Sequence, residues 1–297
     1  MLGLLALVAA SFAQIARNHV KLASVASESA KAEALADAGT HLAILDLVAA
    51  HASPRGSQGA NRRYPLDATP LTCSSGNGSI LTIAVQDEAG KVDLNIANPS
   101  LLRALVLGVG VSGGEAAADA ILDYRDRDDD RRISGAERAE YLAAGRPYGP
   151  RNGPFQAVEE LAGVLGITQD DADRLRPFVT IYSGLAAIDM NIAPQALVDV
   201  LARGLQQGGG PSLLESGLGA SELAAMEHHS TLPTQFLAAS TRRTFSIRSQ
   251  ARTAAGTTFS RETVLEFVSP NSSGFRLRRW HRASAAAAPA GGVLPPC

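Results

Sequence analysis

Lysine is nearly missing from this chain: Lys21, Lys31 and Lys91 are the only three among 297 residues, so positive charge rests almost wholly on arginine. The formal net charge is -2 and the pI is near 6.3, which leaves no basic excess of the kind that wraps nucleic acid. Cysteine is almost as scarce. Cys73 and Cys297 stand far apart, without metal-ligand spacing, which excludes a cysteine zinc cluster and a multi-disulfide framework. Whether the two bridge is a geometric condition that the sequence leaves open. Long apolar runs are absent too. The only candidate, residues 1–16, is short of the roughly 20 residues that span a bilayer, and no positive charge precedes it as in a secretory leader. No serine or histidine has a partner at a spacing that suggests a triad. Gly108, Gly110, Gly113 and Gly114 are not followed by the Lys and Ser/Thr of a phosphate loop, and read as a turn between helices. His228 and His229 read as a solvated pair. The chain is not expected to be an enzyme.

What is present is concentrated near the middle. Asp126-Arg127-Asp128-Asp129-Asp130-Arg131-Arg132-Ile133-Ser134-Gly135-Ala136-Glu137 places acids at loop positions 1, 3, 5 and 12 and an apolar residue at position 8. That is the ligand spacing of a calcium loop, in which alternate carboxylates, one backbone carbonyl and a closing bidentate Glu converge on a hard cation. Position 6, normally Gly for a sharp turn, is Arg131. Positive φ costs a non-Gly residue roughly 1–2 kcal/mol, so the loop is expected to depart from the helix-loop-helix prototype. Acid outnumbers arginine by eight to five between Asp119 and Glu140. The bland alternative is a solvated turn in which Asp and Arg alternate.

Around the loop the chain organises itself by period. Residues 21–50 are rich in Ala, Leu, Glu and Lys, lack Pro, and carry Leu22, Val25, Ala32, Leu35, Leu42 and Leu45 on a helical period. The apolar N-terminus runs into this helix without a break, which suggests one continuous stem. Residues 53–78 read as a Pro/Gly/Ser/Asn linker, 79–85 as a strand, and 90–95 as its partner after a turn at residues 88–90. Val92-Asp93-Leu94-Asn95-Ile96-Ala97 then recurs as Ile188-Asp189-Met190-Asn191-Ile192-Ala193, each copy leading into a helix, 101–107 and 195–203. Helices are expected at 115–124, 136–144, 156–165 and 170–177, and a mobile loop at 205–219. Residues 243–253 and 258–268 alternate as two strands around a Gly-containing turn, with an edge strand at 274–280 and a low-complexity tail from 283. A long helix laid on one face of an antiparallel sheet is an α+β architecture.

Particular stretches carry a resemblance. Asp87-Glu88-Ala89-Gly90-Lys91-Val92-Asp93-Leu94-Asn95, Ala120-Ile121-Leu122-Asp123-Tyr124-Arg125-Asp126, Gly135-Ala136-Glu137, Pro154-Phe155 with Val158-Glu159-Glu160-Leu161, and Thr180-Ile181-Tyr182-Ser183-Gly184 resemble, in order and spacing, the K-type minor pseudopilins of type II secretion. The resemblance runs from about Ala30 to His281. It implies an inner-membrane, single-pass protein with most of its chain in the periplasm, placed at the pseudopilus tip and starting or capping its assembly. It implies the I-type and J-type minor pseudopilins as partners and no nucleic acid. The fold implied is a pilin-like helix on a small antiparallel sheet, interrupted by a large SAM-like, helix-hairpin-helix-like insertion. The expected segments are a membrane helix at 1–20, stem and first strands at 21–95, and the insertion with its calcium loop at 96–205. A loop or helical segment at 206–240, a closing hairpin at 241–282 and a tail at 283–297 follow. Carried onto this sequence, Ca²⁺ falls to Asp126, Asp128, Asp130 and Glu137, with the Arg132 carbonyl and a contact from Ser134. A prepilin also needs a basic leader and a peptidase site ahead of its apolar helix. Neither is in residues 1–16, and the expectation is that the native gene encodes them upstream. The rival reading is a helix-hairpin-helix DNA-binding protein over 101–181, against which Asp170, Asp171 and Asp173 follow the hairpin at Gly163–Ile167 and would repel phosphate.

Overall fold

The computed structural model describes residues 2–52, 62–75, 77–208, 232–268, 274–284, 295 and 297. The chain divides into two compact units, one of residues 1–85 with 245–297, the other of 86–244.

In the first unit, α1 (Leu2–Ala52) is a single helix of 51 residues, roughly 75 Å long at 1.5 Å per residue. Its first half is exposed, with Phe12, Ile15, Val20, Leu22 and Val25 facing solvent. Among the described residues no helix is long and apolar enough to cross a membrane. The second half buries Ala32, Ala36, Ala43, Ile44 and Leu47 against a five-stranded sheet of order β1-β2-β5-β6-β7. The strands are β1 (Leu71–Ser74), β2 (Ile80–Asp87), β5 (Thr244–Arg252), β6 (Thr258–Phe267) and β7 (Phe275–Arg282). Gly39 is where helix and sheet come closest. A Cβ there would fall 2.4 Å from Ser249 Oγ and 2.8 Å from Leu81 Cδ1, so any side chain would push α1 off the sheet. An ionic clamp holds the next turn: Arg261 of β6 donates to Asp37 (2.6 Å) and Glu33 (2.7 Å) while its guanidinium lies over Phe259 and Trp280.

The second unit is helical. β3 (Val92–Asp93) and β4 (Val179–Thr180) form a short parallel pair, and α2 (Pro99–Val109), α3 (Glu115–Arg125), α4 (Arg138–Ala143), α5 (Gln169–Leu175) and α6 (Gln195–Gln207) surround a core of Leu94, Leu101, Leu102, Leu105, Ile121, Leu161, Leu197 and Leu201. The two helices that follow the sequence echo pack on each other. At their crossing a Cβ on Gly108 would sit 1.9 Å from Val200 O, and one on Gly204 1.7 Å from Ala104 O, so only glycines allow the backbones to touch. The echo is also structural. Asp93 and Asp189 each accept from the backbone N–H two residues on, 2.9 Å at Asn95 and 3.0 Å at Asn191. Their second oxygens pin a distant segment, Ser183–Gly184 for Asp93 and Ser240 for Asp189.

Several expectations are corrected. Residues 90–95 do not pair with 79–85: Glu88–Gly90 is a 3₁₀ turn capped by Asp87, and β3 pairs with β4 instead. The stretch read as linker contains β1, which pairs antiparallel with β2. Residues 156–165 form a 3₁₀ segment, Val158–Gly163, with Glu160 accepting from the N–H groups of Gln156 and Ala157. Gly108 lies inside α2, and the turn is made by Gly110 at φ 74°. The helical unit begins at Gln86 and runs to Thr244, wider than 96–205. The closing strands match expectation, with β7 at the sheet edge. Most of the loop expected at 205–219, His228 and His229, and most of the tail lie outside the described residues. Cys73 and Cys297 form a disulfide.

Candidate metal centre

The acidic loop leaves the C-terminal end of α3. Apolar Ala117, Ala118, Ile121 and Leu122 pull that helix into the core, and the same 3.6-residue period buries Asp119 and Asp123 one turn apart. Arg125 fixes the last turn by donating to Leu94 O and Ala97 O, both at 2.7 Å. The loop then folds back over these acids. Arg132 Nη1 bridges Asp123 Oδ1 (2.6 Å) and Asp126 Oδ2 (2.5 Å), its backbone N–H donates to Asp123 Oδ2 (3.3 Å), and the Ser134 N–H donates to Asp119 Oδ2 (3.3 Å). Gly135 passes so close that a Cβ would lie 1.9 Å from Asp123 Oδ2.

The expected ligands divide into two groups. Asp126 and Glu137 turn inward. Both Glu137 carboxylate oxygens and Asp126 Oδ1 are buried without a hydrogen-bond partner. Burial, and then the charges of Asp123, Asp126, Asp129 and Asp128, push the Glu137 carboxyl up to about 7. Burial likewise raises Asp126, against the pull of Arg132. Asp128, Asp130 and Ser134 are exposed, and the Asp130 N–H donates to Asp128 Oδ1 (3.0 Å). The Arg132 carbonyl, expected as a ligand, accepts from the Gly135 N–H (3.1 Å), while its side chain and its own N–H engage the acids.

The departure at position 6 has its expected effect. Arg131 does not adopt positive φ and pairs with Glu140 at 3.6 Å, so the prototype's sharp turn is not made. Ile133, the apolar position 8, is 96 % exposed instead of packed. Among the described residues no three Asp, Glu, His or Cys side chains are gathered as a finished metal centre. The donor set still suits a hard cation: orphaned, buried carboxylate oxygens are groups that a divalent ion would satisfy. Asp123 and Asp119 were missed. Their signal was the i, i+4 spacing on the apolar face of α3, visible only once the helix end had been placed. In the stretch read as a helix-hairpin-helix, Thr168 caps α5 and Asp171, three residues in, completes the capping box, accepting from Thr168 and the Ser112 N–H and pairing with Arg174. Burial raises its carboxyl, but those hydrogen bonds outweigh it and hold Asp171 down at about 2.

A long helix on an antiparallel sheet, with a helical stretch inserted between two neighbouring strands, is a pilin-like fold with an insertion. Residues 83–184 match the family model described as type II secretion system (T2SS), protein K. The fold is also that of a chain in the crystal structure of the GspK-GspI-GspJ complex from the enterotoxigenic Escherichia coli type 2 secretion system. That likeness has a TM-score of 0.59 at 17 % identity and covers 88 % of this chain and 99 % of that one. No curated protein matches the chain. Residues 83–184, about a third of the chain, are thus similar to the K protein of type II secretion, and the fold of most of the chain is similar to one in the GspK-GspI-GspJ complex.

Proposed function

We propose that this chain is a K-type minor pseudopilin that sits at the tip of the pseudopilus, where it starts or caps assembly together with I-type and J-type minor pseudopilins. The observation that carries the reading is the surface of α1. Leu42 and Leu45 lie on its outward side, 39 % and 66 % exposed, although the helix already buries its other side on the sheet. Apolar residues left over on a packed helix call for a second helix, and the similar chain of known structure was crystallised in a GspK-GspI-GspJ complex. The exposed apolar residues near the start of α1, Phe12, Ile15 and Val20 among them, suit an inner-membrane anchor with the rest of the chain in the periplasm. Pilin-like subunits that stack through such helices share a common small sheet. The spliced helical unit is bulk that ordinary subunits lack, which favours a filament end over its middle. Calcium completes the proposal. Glu137 and Asp126 would hold the ion, with Asp123 behind them and Asp128 and Asp130 brought in from the loop. Its charge would neutralise acids that now lean on Arg132.

The test is assembly. A chain beginning at Ser24, mixed with soluble I-type and J-type domains at tens of micromolar, should give a 1:1:1 complex by multi-angle light scattering. Leu45→Glu should abolish it while shifting the thermal melt by no more than about 1 °C, because exposed substitutions usually change stability by under 0.5 kcal/mol. Monomers alone in the wild-type mixture would refute the proposal.

A further inference from the structure

The five-stranded sheet has two edges, and the sequence protects them in different ways. β7 carries Arg276, Arg278, Arg279 and Arg282, so two copies meeting edge to edge would set like charges against one another. β1 has no such defence. Residues 68–86 contain no charged side chain at all, and Leu71-Thr72-Cys73-Ser74 is a neutral, strand-forming sequence. Unprotected, it would template another copy of itself.

Its outer edge is covered by the chain's own far end. The Ser74 N–H donates to Pro295 O (2.8 Å), the Cys297 N–H donates to Ser74 O (2.9 Å), and Cys73 is disulfide-bonded to Cys297 across 224 residues of sequence. Arg63 adds a brace, its Nη2 donating to Cys297 O (2.7 Å). The backbone N–H groups of Arg63 and Tyr64 are in turn fixed by the Asp46 carboxylate of α1, at 3.1 and 3.4 Å. Three hydrogen bonds at a water-exposed edge compete with solvent and do not repay the ordering of a short segment. The covalent bond makes the cover permanent.

We propose that Pro295 and Cys297 form a disulfide-locked cover for β1 that prevents strand pairing with a second copy of this chain, and that reduction opens that edge. The chemistry balances with a dithiol reductant. It delivers two electrons and two protons, the Cys73–Cys297 bond becomes two thiols, and the dithiol closes to its own disulfide. An oxidising compartment thus keeps the subunit from self-pairing before it meets its assigned neighbours.

The full chain is compared with and without dithiothreitol, and beside the variants Cys73→Ser and Cys297→Ser. Reduction should speed hydrogen exchange at the Ser74 amide at least tenfold and leave α2 amides such as Leu102 unchanged. Light scattering should show a concentration-dependent doubling of mass relative to the oxidised chain. Thr72→Arg in the Cys73→Ser background should restore the oxidised mass by setting like charges opposite each other. Unchanged exchange at Ser74 overturns the cover. Equal acceleration along β5 and β6 overturns it as well, since the disulfide would then hold the whole sheet. Faster exchange with no change in mass overturns the assignment of a second copy as the blocked partner.

Discussion

Asp87 is buried to 1 % exposure at the start of the helical unit, where Ser240 Oγ donates to its Oδ2 (2.6 Å) and the Ala89 N–H to its Oδ1 (3.0 Å). Ser240 also serves Asp189 through its own N–H (2.8 Å), so one serine bridges two buried acids. Burial raises the Asp87 carboxyl from 3.8 to about 6; the bonds from Ser240 and Ala89 oppose this, and Glu88 and Asp189 add to it. A raised acid holds its proton better folded than unfolded, so stability falls as pH rises from about 4 to about 6. Two units correspond to about 3 kcal/mol. Urea unfolding at pH 4, 5, 6 and 7 should show that loss in the wild type, and Asp87→Asn should flatten the slope in the same window. An unaltered slope would mean that Asp87 is solvated. Nothing in the sequence marked Asp87 as unusual, because its partners lie at Ser240 and Asp189, far along the chain. Gly39 was equally silent: a lone glycine in an Ala-rich helix looks like a defect until Ser249 and Leu81 are seen against it.

At the scale of elements, periodicity was readable wherever one face of a helix or strand meets a core. The stem helix, α2, α3, α6 and the hairpin of β5 and β6 all stand within a few residues of expectation. Pairing partners were not readable, because β3 has only two residues and finds β4 across the sequence rather than β2 beside it. The acidic loop lies between these cases. Its spacing was plain, but Arg131 denies it the expected turn, and Arg132 neutralises acids that the spacing assigned to a cation. A calcium ion would therefore have to displace a guanidinium before it could relieve the repulsion among the carboxylates. At hundredfold excess over Kd, binding to the folded state adds about 2.7 kcal/mol, or roughly 5–10 °C for a unit of this size. Millimolar calcium should raise the melting temperature and chelator should lower it. Asp126→Ala and Glu137→Ala should each remove most of the difference. Asp129→Ala should retain it, since Asp129 instead accepts from Asn152 Nδ2 (2.7 Å). Identical melts in calcium and chelator, with no heat of binding, would reduce the loop to a solvated turn.

For the molecule as a whole, architecture was more legible than boundaries. The sequence announces a helix, a few strands, a helical stretch and a hairpin, and α+β follows from that order. Where one unit gives way to the other was misjudged, because Asp93 and its neighbours look like strand yet pack with the helices. One feature of that layout governs how the chain reaches its native state. β2 and β5 are sheet neighbours, but nearly every residue of the helical unit is synthesised between them. Until that intervening stretch condenses, bringing the two strands together means closing a very long loop. Once it has condensed, the Asp87–Ser240 bond holds its two ends side by side, and the closure is nearly free. A ribosome that emits the chain from the N-terminus therefore releases β2 as an unmated strand. It must wait through all of α2 to α6 before β5 emerges, and this is the interval in which a chaperone would be most needed. Refolding followed by pulsed hydrogen exchange should show α2 and α6 protected before β5. Protection of β5 first, or at the same rate, would show that the sheet forms without waiting for its guest.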